Sequence, residues 1–322
     1  MTAAPKKPAA LADARKTKQP AWVQPMLATL TRNYFSDPEW LFEPKLDGIR
    51  CLAFKQATDV KLLSRNKLDL TGGYPEVVRA LERQRSGSFI VDGEIAAVKG
   101  DVTSFSLLQQ ARRQKVPIVY FIFDVIHIDG HDVTKVALKE RKDLLERSLR
   151  WGGPLSFVSH IEEDGKEFYE AACARGWEGV IAKLASSRYT PGRSRDWLKF
   201  KCSNEQEFVI AGYTDPQGQR TAFGALLVGY YEDGELRYAG KVGTGYNAAT
   251  LRDLLAKMEP LRQPESPFAG KPPMRKGVHW VRPRLVAQIG FSEWTSDGRL
   301  RHPRYLGLRK DKKPREVVRE RP

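Results

Sequence analysis

The hydrophobic and polar positions between residues 40 and 201 follow two different periods. Short apolar runs bounded by Gly, Asp and Asn predict strands; they are EWLFEPK, GIRCLAFKQ, VKLLSR, FIVDGEIAAV, PIVYFIFDVIHI, GVIAKL and WLKFK. Apolar residues at i, i+3 and i+4 predict helices at Tyr74–Arg85, Ser104–Arg113, Lys139–Ser148 and Lys166–Arg175. Because strands predominate and helices flank them, the pattern indicates an α+β domain.

The pattern changes after Lys201. The runs FVIAGYTDP, FGALLVGYYEDGELRYAGKVGTG and LVAQIGFSEWT predict short strands, with a hairpin turn at Glu232–Gly234 and one helix at Ala248–Met258. About five strands with one helix suit a small β-barrel of the OB-fold type, a common nucleic-acid-binding barrel. We therefore predict a basic leader over 1–20, a first domain over 21–202 and a second over 203–322. The linker is expected near Cys202–Gln206, with a cleft between the domains.

The amino-acid composition indicates the class of binding partner. The chain has 322 residues, 41% of them hydrophobic, which is enough for a substantial core. Its 54 Lys and Arg against 39 Asp and Glu give a formal charge of +15. Such a surplus favours a polyanionic partner, because each neutralised phosphate releases counterions. An ordinary basic protein without such a partner is the equal alternative on charge alone.

The cysteines and the apolar runs indicate the cellular compartment in which the protein is expected. Cys51, Cys173 and Cys202 lie far apart without a CxxC pair, which argues against a disulfide or a structural zinc and suits a reducing cytosol. No apolar run approaches the roughly 18 residues that a membrane span needs. The leader lacks the hydrophobic core of a secretory signal, and its Ala/Pro/Lys composition suits either a nucleic-acid contact or a solvated tail.

The sharpest chemical signal is the segment EPKLDGIR, Glu43–Arg50. A lysine amine is a good covalent catalyst once deprotonated, and cationic neighbours can lower its pKa. Lys45 beside an Asp-Gly turn, with Arg50 five residues on, could place an amine and a guanidinium around one phosphate. The motif is short, however, and taken by itself it fits a solvated lysine in a surface turn equally well.

An ordered set of residues follows this segment. Arg65 comes directly after a strand, Asp92-Gly93-Glu94 ends another strand and puts a carboxylate at its edge, and Phe123 lies inside an apolar strand. Glu178 opens EGVIAK, and Lys199 and Lys201 alternate along WLKFK, so both face one side of a strand. Each residue alone has an ordinary structural explanation, but the set in this order does not.

The set resembles the covalent nucleotidyltransferase superfamily, which includes ATP-dependent DNA ligases, RNA ligases and mRNA capping enzymes. The similarity runs from about Trp22 to Arg319. It is strongest to the ligase module of the bacterial end-joining proteins of the LigD type, through SRYTPGRSRDWLKFK (Ser187–Lys201) and RHPRYLGLRKDKKPREV (Arg301–Val317). The resemblance implies an adenylation (nucleotidyltransferase) domain followed by an OB-fold domain, in a minimal stand-alone ligase without polymerase or phosphoesterase modules.

The resemblance also implies a role for each residue. Lys45 would attack the α-phosphorus of ATP; Phe123 would stack on the purine and Glu43 would read its edge. The remaining implied roles are these: Arg50 and Arg65 on phosphates or sugar near the nick, Glu94 on the ribose or a metal, Glu178 on the divalent ion, Lys199 and Lys201 on the α-phosphate, and Arg193 on DNA or another phosphate. Arg309, Asp311 and Lys312 would close over the site and orient the leaving pyrophosphate, a domain closure expected during adenylation.

The resemblance implies ATP as a substrate and Mg²⁺ or Mn²⁺ as the cofactor. The implied partners are nicked or broken double-stranded DNA and a Ku-type end-binding protein. We further expect a monomer, cytoplasmic and nucleoid-associated, with no membrane contact. Two alternatives stay open: an RNA ligase or guanylyltransferase of the same superfamily, and a non-catalytic nucleic-acid-binding protein. Labelling of the protein by ATP or GTP, and sealing of nicked DNA or RNA, separate them.

Overall fold

The structure is a computed structural model, and it describes residues 11, 14–114, 116–202, 204–216, 221–270 and 277–320. The chain divides into two compact units, one that ends at Cys202 and one that begins at the next residue. The last strand of the first unit ends at Lys201, and the first strand of the second begins at Asn204.

Over its described residues, the first unit combines two sheets with four α-helices. Its strands are β1 (Arg15–Lys16), β2 (Met26–Leu30), β3 (Trp40–Pro44), β4 (Ile49–Gln56), β5 (Asp59–Ser64), β6 (Ser88–Lys99), β7 (Val102–Ser104), β8 (Ile118–Ile128), β9 (His131–Asp132), β10 (Leu155–Phe157), β11 (Ile161–Glu162), β12 (Gly179–Leu184) and β13 (Gly192–Lys201). Its helices are α1 (Pro75–Glu82), α2 (Phe105–Gln114), α3 (Leu138–Ser148) and α4 (Gly165–Ala174).

The two sheets of the first unit share an apolar interface. The larger has the order β1-β9-β8-β6-β4-β5, with β10 beside β8 and β7 beside β6; the smaller has the order β11-β3-β12-β13-β2. Along β4, Cys51 and Ala53 enter one hydrophobic cluster, while Leu52 enters another that also contains Leu41 and Trp197 of the smaller sheet. The larger sheet is thus buried on both faces, which explains why its strands read as nearly continuous apolar runs.

Two glycines of the candidate motifs are required by close backbone contacts. A Cβ at Gly48 would lie 2.3 Å from the carbonyl oxygen of Ile95, and one at Gly179 would lie 1.9 Å from that of Phe200. Gly179 also has φ +149°, which side-chain-bearing residues rarely adopt. Gly48 and Gly179 let the segments that follow Lys45 and Glu178 approach neighbouring strands closely.

Among its described residues, the second unit is built on one main sheet, a two-stranded sheet and a single α-helix. Its elements are β14 (Asn204–Thr214), β15 (Leu226–Glu232), β16 (Glu235–Val242), α5 (Ala248–Met258), β17 (Arg262–Gln263), β18 (Val278–Phe291), β19 (Glu293–Trp294), β20 (Leu300–Arg301) and β21 (Arg304–Leu308). The main sheet has the order β16-β15-β14-β18-β17, with β21 beside β18. Asp233 and Gly234 have φ of 52° and 79°, so the predicted hairpin turn is confirmed.

The strongly periodic elements match the sequence prediction, and one prediction about cysteines is wrong. All five predicted helices are present with ends within a few residues of those expected, as are the predicted long strands.

The structure contains a disulfide between Cys173 and Cys202, whose Cα atoms lie 5.2 Å apart. Sequence spacing could not reveal it, because α4 is brought to the end of β13 only by packing against the sheet. Among the described residues no helix is long and apolar enough to cross a membrane.

Candidate active site

Lys45 lies on the wall of a cavity inside the first unit. It directly follows β3, and its backbone N–H donates to the carbonyl of Gly179 at 2.9 Å. The cavity has a volume of about 300 Å³, and Lys45 lines it together with Phe121, Val158 and Trp177. A concave site of this size, with a nucleophile on its wall, is the usual form of a small-molecule pocket.

The Lys45 side chain forms an ion pair with the Glu178 carboxylate. Burial acts to lower the pKa of Lys45, but Glu178, Asp47 and Glu94 outweigh it, so the pKa is raised above its ordinary value. We expected cationic neighbours to lower this pKa, and that expectation is wrong. The immediate surroundings are carboxylates, so the amine is held protonated.

Strand pairing brings Lys199 and Lys201 to the same place. Lys201 pairs with Gly179, the residue after Glu178, and Lys199 pairs with Ile181 two residues further along β12. The Lys45 backbone N–H bonds to that same Gly179, so Lys45 and Lys201 flank one residue. Lys199 is largely buried, and each of the two lysines has an interaction partner within the fold.

The acidic residues around Lys45 fit a divalent cation. Glu178 contacts the Lys45 ammonium, and Glu94 contributes to the electrostatic field on it. Mg²⁺ and Mn²⁺ prefer oxygen ligands, and Mg²⁺ is commonly held by one or two carboxylates plus phosphate oxygens and water. The described residues contain no preformed group of three or more His, Cys, Asp or Glu that could hold a metal. An ion here would therefore depend on substrate oxygens to complete its coordination.

Arg50 is held by a bidentate salt bridge. Its Nε and Nη2 donate to the two carboxylate oxygens of Asp92 at 2.5 and 2.6 Å, and Nη2 also donates to the Met26 carbonyl at 3.1 Å. The Tyr189 hydroxyl donates to the same Asp92 carboxylate at 2.6 Å. Across the sheet, Arg50 pairs with Glu94. The guanidinium thus occupies a fixed position beside the candidate site.

The structure places Phe121, rather than the predicted Phe123, in the cavity wall. Phe123 is 7% exposed; the Arg50 guanidinium carbon lies 4.6 Å and the Lys183 ammonium 4.2 Å from its ring centre. Phe121 lines the cavity and pairs with Glu94 across the sheet. Stacking of Phe123 on a purine stays a prediction, and Phe121 is one of three aromatic residues, with Phe157 and Trp177, that line the cavity.

Glu43 is buried in a cluster with two lysines. Its Oε1 lies 2.5 Å from Lys142 Nζ, and its Oε2 lies 2.5 Å from Lys183 Nζ. The lining of the cavity begins at the next residue, Pro44. Burial, with Lys142 nearby, lowers the pKa of Lys183 to about 8 even though Glu43 acts to raise it. The implied reading of the adenine edge by Glu43 stays a prediction.

The two remaining arginines predicted in the first unit lie away from the cavity lining. Arg65 is half-buried and directly follows β5. Arg193 is exposed on β13, and its Nη1 donates to the Ala28 carbonyl at 2.7 Å. Both positions leave room for the implied contacts with phosphate or DNA, which stay predictions.

The three residues predicted near the C-terminus lie in the second unit and have partners there. Arg309 donates from Nε and Nη2 to the Asp311 carboxylate at 2.9 and 2.8 Å, and both side chains are buried. Lys312 Nζ lies 2.9 Å from Glu207 Oε1 on β14. Their implied role on pyrophosphate stays a prediction.

Sequence reasoning missed four residues that shape this site: Asp92, Lys142, Tyr189 and Lys183. Three lie in segments that the motifs already marked: VDGE, SRYTPGRS and EGVIAK. Lys142 lies on α3, and nothing in the periodic pattern of that helix shows that its ammonium is completely buried. The only sequence signal is a charged residue among the core positions of the helix, and this signal does not show which residue is its partner.

Comparison with known proteins assigns the family. Residues 25–201 match the family described as ATP dependent DNA ligase domain, and residues 219–312 match the ATP dependent DNA ligase C terminal region. The chain therefore belongs to the ATP-dependent DNA ligases, and the predicted fold class is confirmed: an α+β nucleotidyltransferase domain followed by an OB-fold domain.

Its similar relatives are LigD proteins. The chain is 40% identical over 317 residues to the multifunctional non-homologous end joining protein LigD of Pseudomonas aeruginosa, covering 95% of this chain and 38% of that protein. It is 39% identical to LigD of Mycobacterium tuberculosis over 302 residues, covering 92% and 40%. A solved mycobacterial DNA ligase D, complexed with ATP and MES, superposes with a TM-score of 0.67 at 36% identity, covering 92% of this chain and 98% of that one. The predicted likeness to the LigD ligase module is thus confirmed, and the chain spans about two fifths of these relatives' length.

Proposed function

We propose that this chain seals breaks in DNA by joining a 5′-phosphate to a 3′-hydroxyl, using ATP and a covalent adenylate on Lys45. The observation that carries the proposal is the position of Lys45, on the wall of a cavity of about 300 Å³ and in contact with Glu178. The family membership supports ATP as the nucleotide and DNA as the polymer. The solved relative that contains ATP supports the same choice.

The first step forms a bond between Lys45 Nζ and the α-phosphorus of ATP and breaks the bond to pyrophosphate. A protonated amine has no lone pair for this attack, so the ion pair with Glu178 must separate and the ammonium must lose its proton. Lys199 and Lys201, which the strand pairing places beside Glu178, can neutralise charge on the phosphates. A divalent cation, Mg²⁺ or Mn²⁺, held by Glu178 and Glu94 with substrate oxygens, supplies further charge neutralisation when bound.

The next two steps consume the adenylate. The 5′-phosphate of the DNA attacks the phosphorus of lysyl-AMP, which releases Lys45 and forms a DNA-adenylate. The neighbouring 3′-hydroxyl then attacks the 5′-phosphate, forms the phosphodiester bond and releases AMP. In these steps the protein mainly positions the reacting groups and neutralises charge. Arg50, fixed by Asp92 beside Glu94, is suited to hold a phosphate or sugar of the break.

The finer assignments are also part of the proposal. The LigD relatives support a role in repair by end joining. We also propose a Ku-type end-binding protein as a partner. We propose that Arg309, Asp311 and Lys312 approach the triphosphate during adenylation through a closure of the second domain. We further propose a monomer that works in the cytoplasm on the nucleoid.

Incubation with α-labelled ATP and Mg²⁺ tests the proposal. The wild type should acquire an acid-labile label that maps to Lys45, and Lys45→Ala should acquire none while keeping its thermal unfolding transition. Nicked DNA should then be sealed in preference to nicked RNA. Labelling by GTP alone would indicate a capping-type enzyme, and an unlabelled wild type would refute covalent catalysis.

A further inference from the structure

The disulfide between Cys173 and Cys202 closes a loop that carries part of the candidate site. It joins the last turn of α4 to the residue that directly follows β13, 29 residues further along the chain. The loop contains Trp177, which lines the cavity, and Glu178, which forms the ion pair with Lys45. The covalent state of the two cysteines therefore bears on the position of the residue that pairs with the proposed nucleophile.

Two hydrogen bonds lie beside the disulfide. The Tyr169 hydroxyl of α4 donates to the Lys201 carbonyl at 3.1 Å, and the Cys202 N–H donates to the Glu178 carbonyl at 3.0 Å. Water competes for such groups, so each hydrogen bond contributes little net stability, whereas a covalent bond stays closed until it is reduced. The pairing of Gly179 with Lys201 belongs to the ladder between β12 and β13. Reduction should therefore loosen the chain between α4 and β12 while the sheet stays intact.

The disulfide is open to attack from solvent. Cys51, the third cysteine, is completely buried, whereas Cys173 and Cys202 are half-buried and residues 174–176 beside them are exposed. Disulfides that a thiolate can reach are the labile, regulatory ones. Disulfides in a reducing cytosol, the location that we propose, are usually transient or redox-sensing. The position, the exposure and the compartment thus point to a bond that is broken and formed again during the life of the protein.

We propose that Cys173 and Cys202 are a redox modification site, at which a dithiol reductant slows adenylylation of Lys45; the inference rests on the proposed function. One thiolate of the reductant attacks a sulfur of the pair, which forms a mixed disulfide and releases the other sulfur as a thiolate. The second thiolate of the reductant then displaces the remaining sulfur. The reductant leaves as a disulfide, and the protein gains two electrons and two protons as two thiols. The reverse exchange with an oxidised dithiol restores the bond.

Labelling by α-labelled ATP and Mg²⁺ in both redox states tests the proposal. The wild type is oxidised, or reduced with dithiothreitol, and assayed at a temperature at which circular dichroism shows both forms folded. Reduction should lower the initial labelling rate by about tenfold, because small displacements of the groups around a substrate have effects of this size or larger. Removal of dithiothreitol and reoxidation should restore the rate. Alkylation and peptide mass spectrometry should find Cys173 and Cys202 as thiols only in the reduced form.

Three variants separate the disulfide from its surroundings. Cys173→Ser/Cys202→Ser should label at the lower rate with and without dithiothreitol. Cys51→Ala should respond to dithiothreitol as the wild type does. Leu81→Ala removes a completely buried side chain of α1 outside the cavity lining, and it lowers the stability of the first unit, as reduction does. Leu81→Ala should keep the labelling rate of the oxidised wild type.

Equal labelling rates in the two redox states would overturn the inference, as would thiols at Cys173 and Cys202 that no oxidant converts to the disulfide. A loss of rate in Leu81→Ala equal to the loss on reduction would show that activity follows stability alone, which also overturns it. A response to dithiothreitol in Cys173→Ser/Cys202→Ser would place the effect at another group, with the same consequence. Wild-type protein that ATP labels in neither state would instead overturn the proposed function.

Discussion

At the scale of single residues, the charge state of Lys45 determines how the site can begin its reaction. The ammonium is paired with Glu178, and Asp47 and Glu94 add to the field that raises its pKa. The Lys45 side chain, the proposed nucleophile, is therefore held in the protonated form, which is unreactive. Any group that draws Glu178 away leaves burial as the dominant influence, and burial favours the neutral amine. Activation of Lys45 is then coupled to substrate binding.

Removing the Glu178 charge should make Lys45 more reactive toward a small amine reagent. Glu178→Gln removes the largest of the influences that raise the pKa of Lys45, so the pKa falls and the neutral amine appears at lower pH. At a pH below both pKa values, each unit of this fall raises the modification rate about tenfold. The measurement is the rate of acetylation of Lys45 by acetic anhydride against pH, followed by peptide mass spectrometry.

The same substitution should reduce adenylylation by ATP and Mg²⁺, because the proposed metal carboxylate is lost. Opposite effects on the two reactions separate the role of Glu178 in protonation from its role toward the nucleotide. Glu162→Gln, which removes a 43% exposed carboxylate paired with Lys139, is the matched control and should leave the Lys45 profile unchanged. Identical acetylation profiles for wild type and Glu178→Gln would disprove this account of the Lys45 pKa.

The sequence predicted which residues come together in the candidate site, but it did not predict the packing and the charges around them. Lys45, Glu178 and Lys201 could be predicted because each lies in a short motif, and strand pairing brings the motifs together. The choice between Phe121 and Phe123 could not be made, because FIFD offers two aromatic residues at i and i+2 and the strand register shifts there. The direction of the Lys45 pKa shift also required structure, since Glu178 and Glu94, two of the carboxylates that raise this pKa, are distant in sequence.

At the scale of elements, the disulfide links a helix to the strand that carries two candidate lysines. Cys173 lies in the last turn of α4, and Cys202 directly follows Lys201 at the end of β13. Glu178 lies inside the 29-residue loop that the bond closes, and its carbonyl accepts the Cys202 N–H at 3.0 Å. The covalent bond therefore constrains the segment that positions both Glu178 and Lys201.

Reduction of this disulfide should lower the stability of the first unit. Closing a loop of 29 residues removes entropy from the unfolded chain that corresponds to about 3–4 kcal/mol. The free energy of unfolding in urea should therefore fall by up to this amount when dithiothreitol is added to the wild type. The double variant Cys173→Ser/Cys202→Ser should start at the lower value and should not respond to dithiothreitol. A wild type with equal stability in both conditions would contradict the constraint.

Other elements show where periodicity is informative and where it fails. The helices were predictable because the apolar spacing extends over two or three turns. The long strand β18 was predicted only in its second half: its pairing with β14 shifts register between residues 280 and 285, around Pro283, which lacks a backbone N–H. Two-residue strands such as β9 and β11 are too short to show a period in the sequence. They form because neighbouring strands pair with them.

At the scale of the whole molecule, the formal charge of +15 favours a phosphate polymer, and membership of the ATP-dependent DNA ligase family supports the proposal that this polymer is DNA. The basic residues are not equivalent, however. Arg50 and Arg309 are held in bidentate salt bridges with Asp92 and Asp311, which orient the side chain and compensate its charge. Arg193 is exposed and bonds a backbone carbonyl, so its charge can still attract phosphate.

The salt dependence of DNA binding should identify arginines that contact phosphate. Each phosphate neutralised on duplex DNA contributes about −0.9 to the slope of log K against log salt concentration. Arg193→Ala should therefore make the slope for a nicked duplex shallower by about one, measured by fluorescence anisotropy over a series of KCl concentrations. Arg282→Ala is the matched control, because Arg282 is also exposed and also donates to one backbone carbonyl, that of Pro260, at 2.9 Å. Equal slope changes in both variants would mean that the overall charge attracts DNA, and the specific phosphate contact of Arg193 would then be excluded.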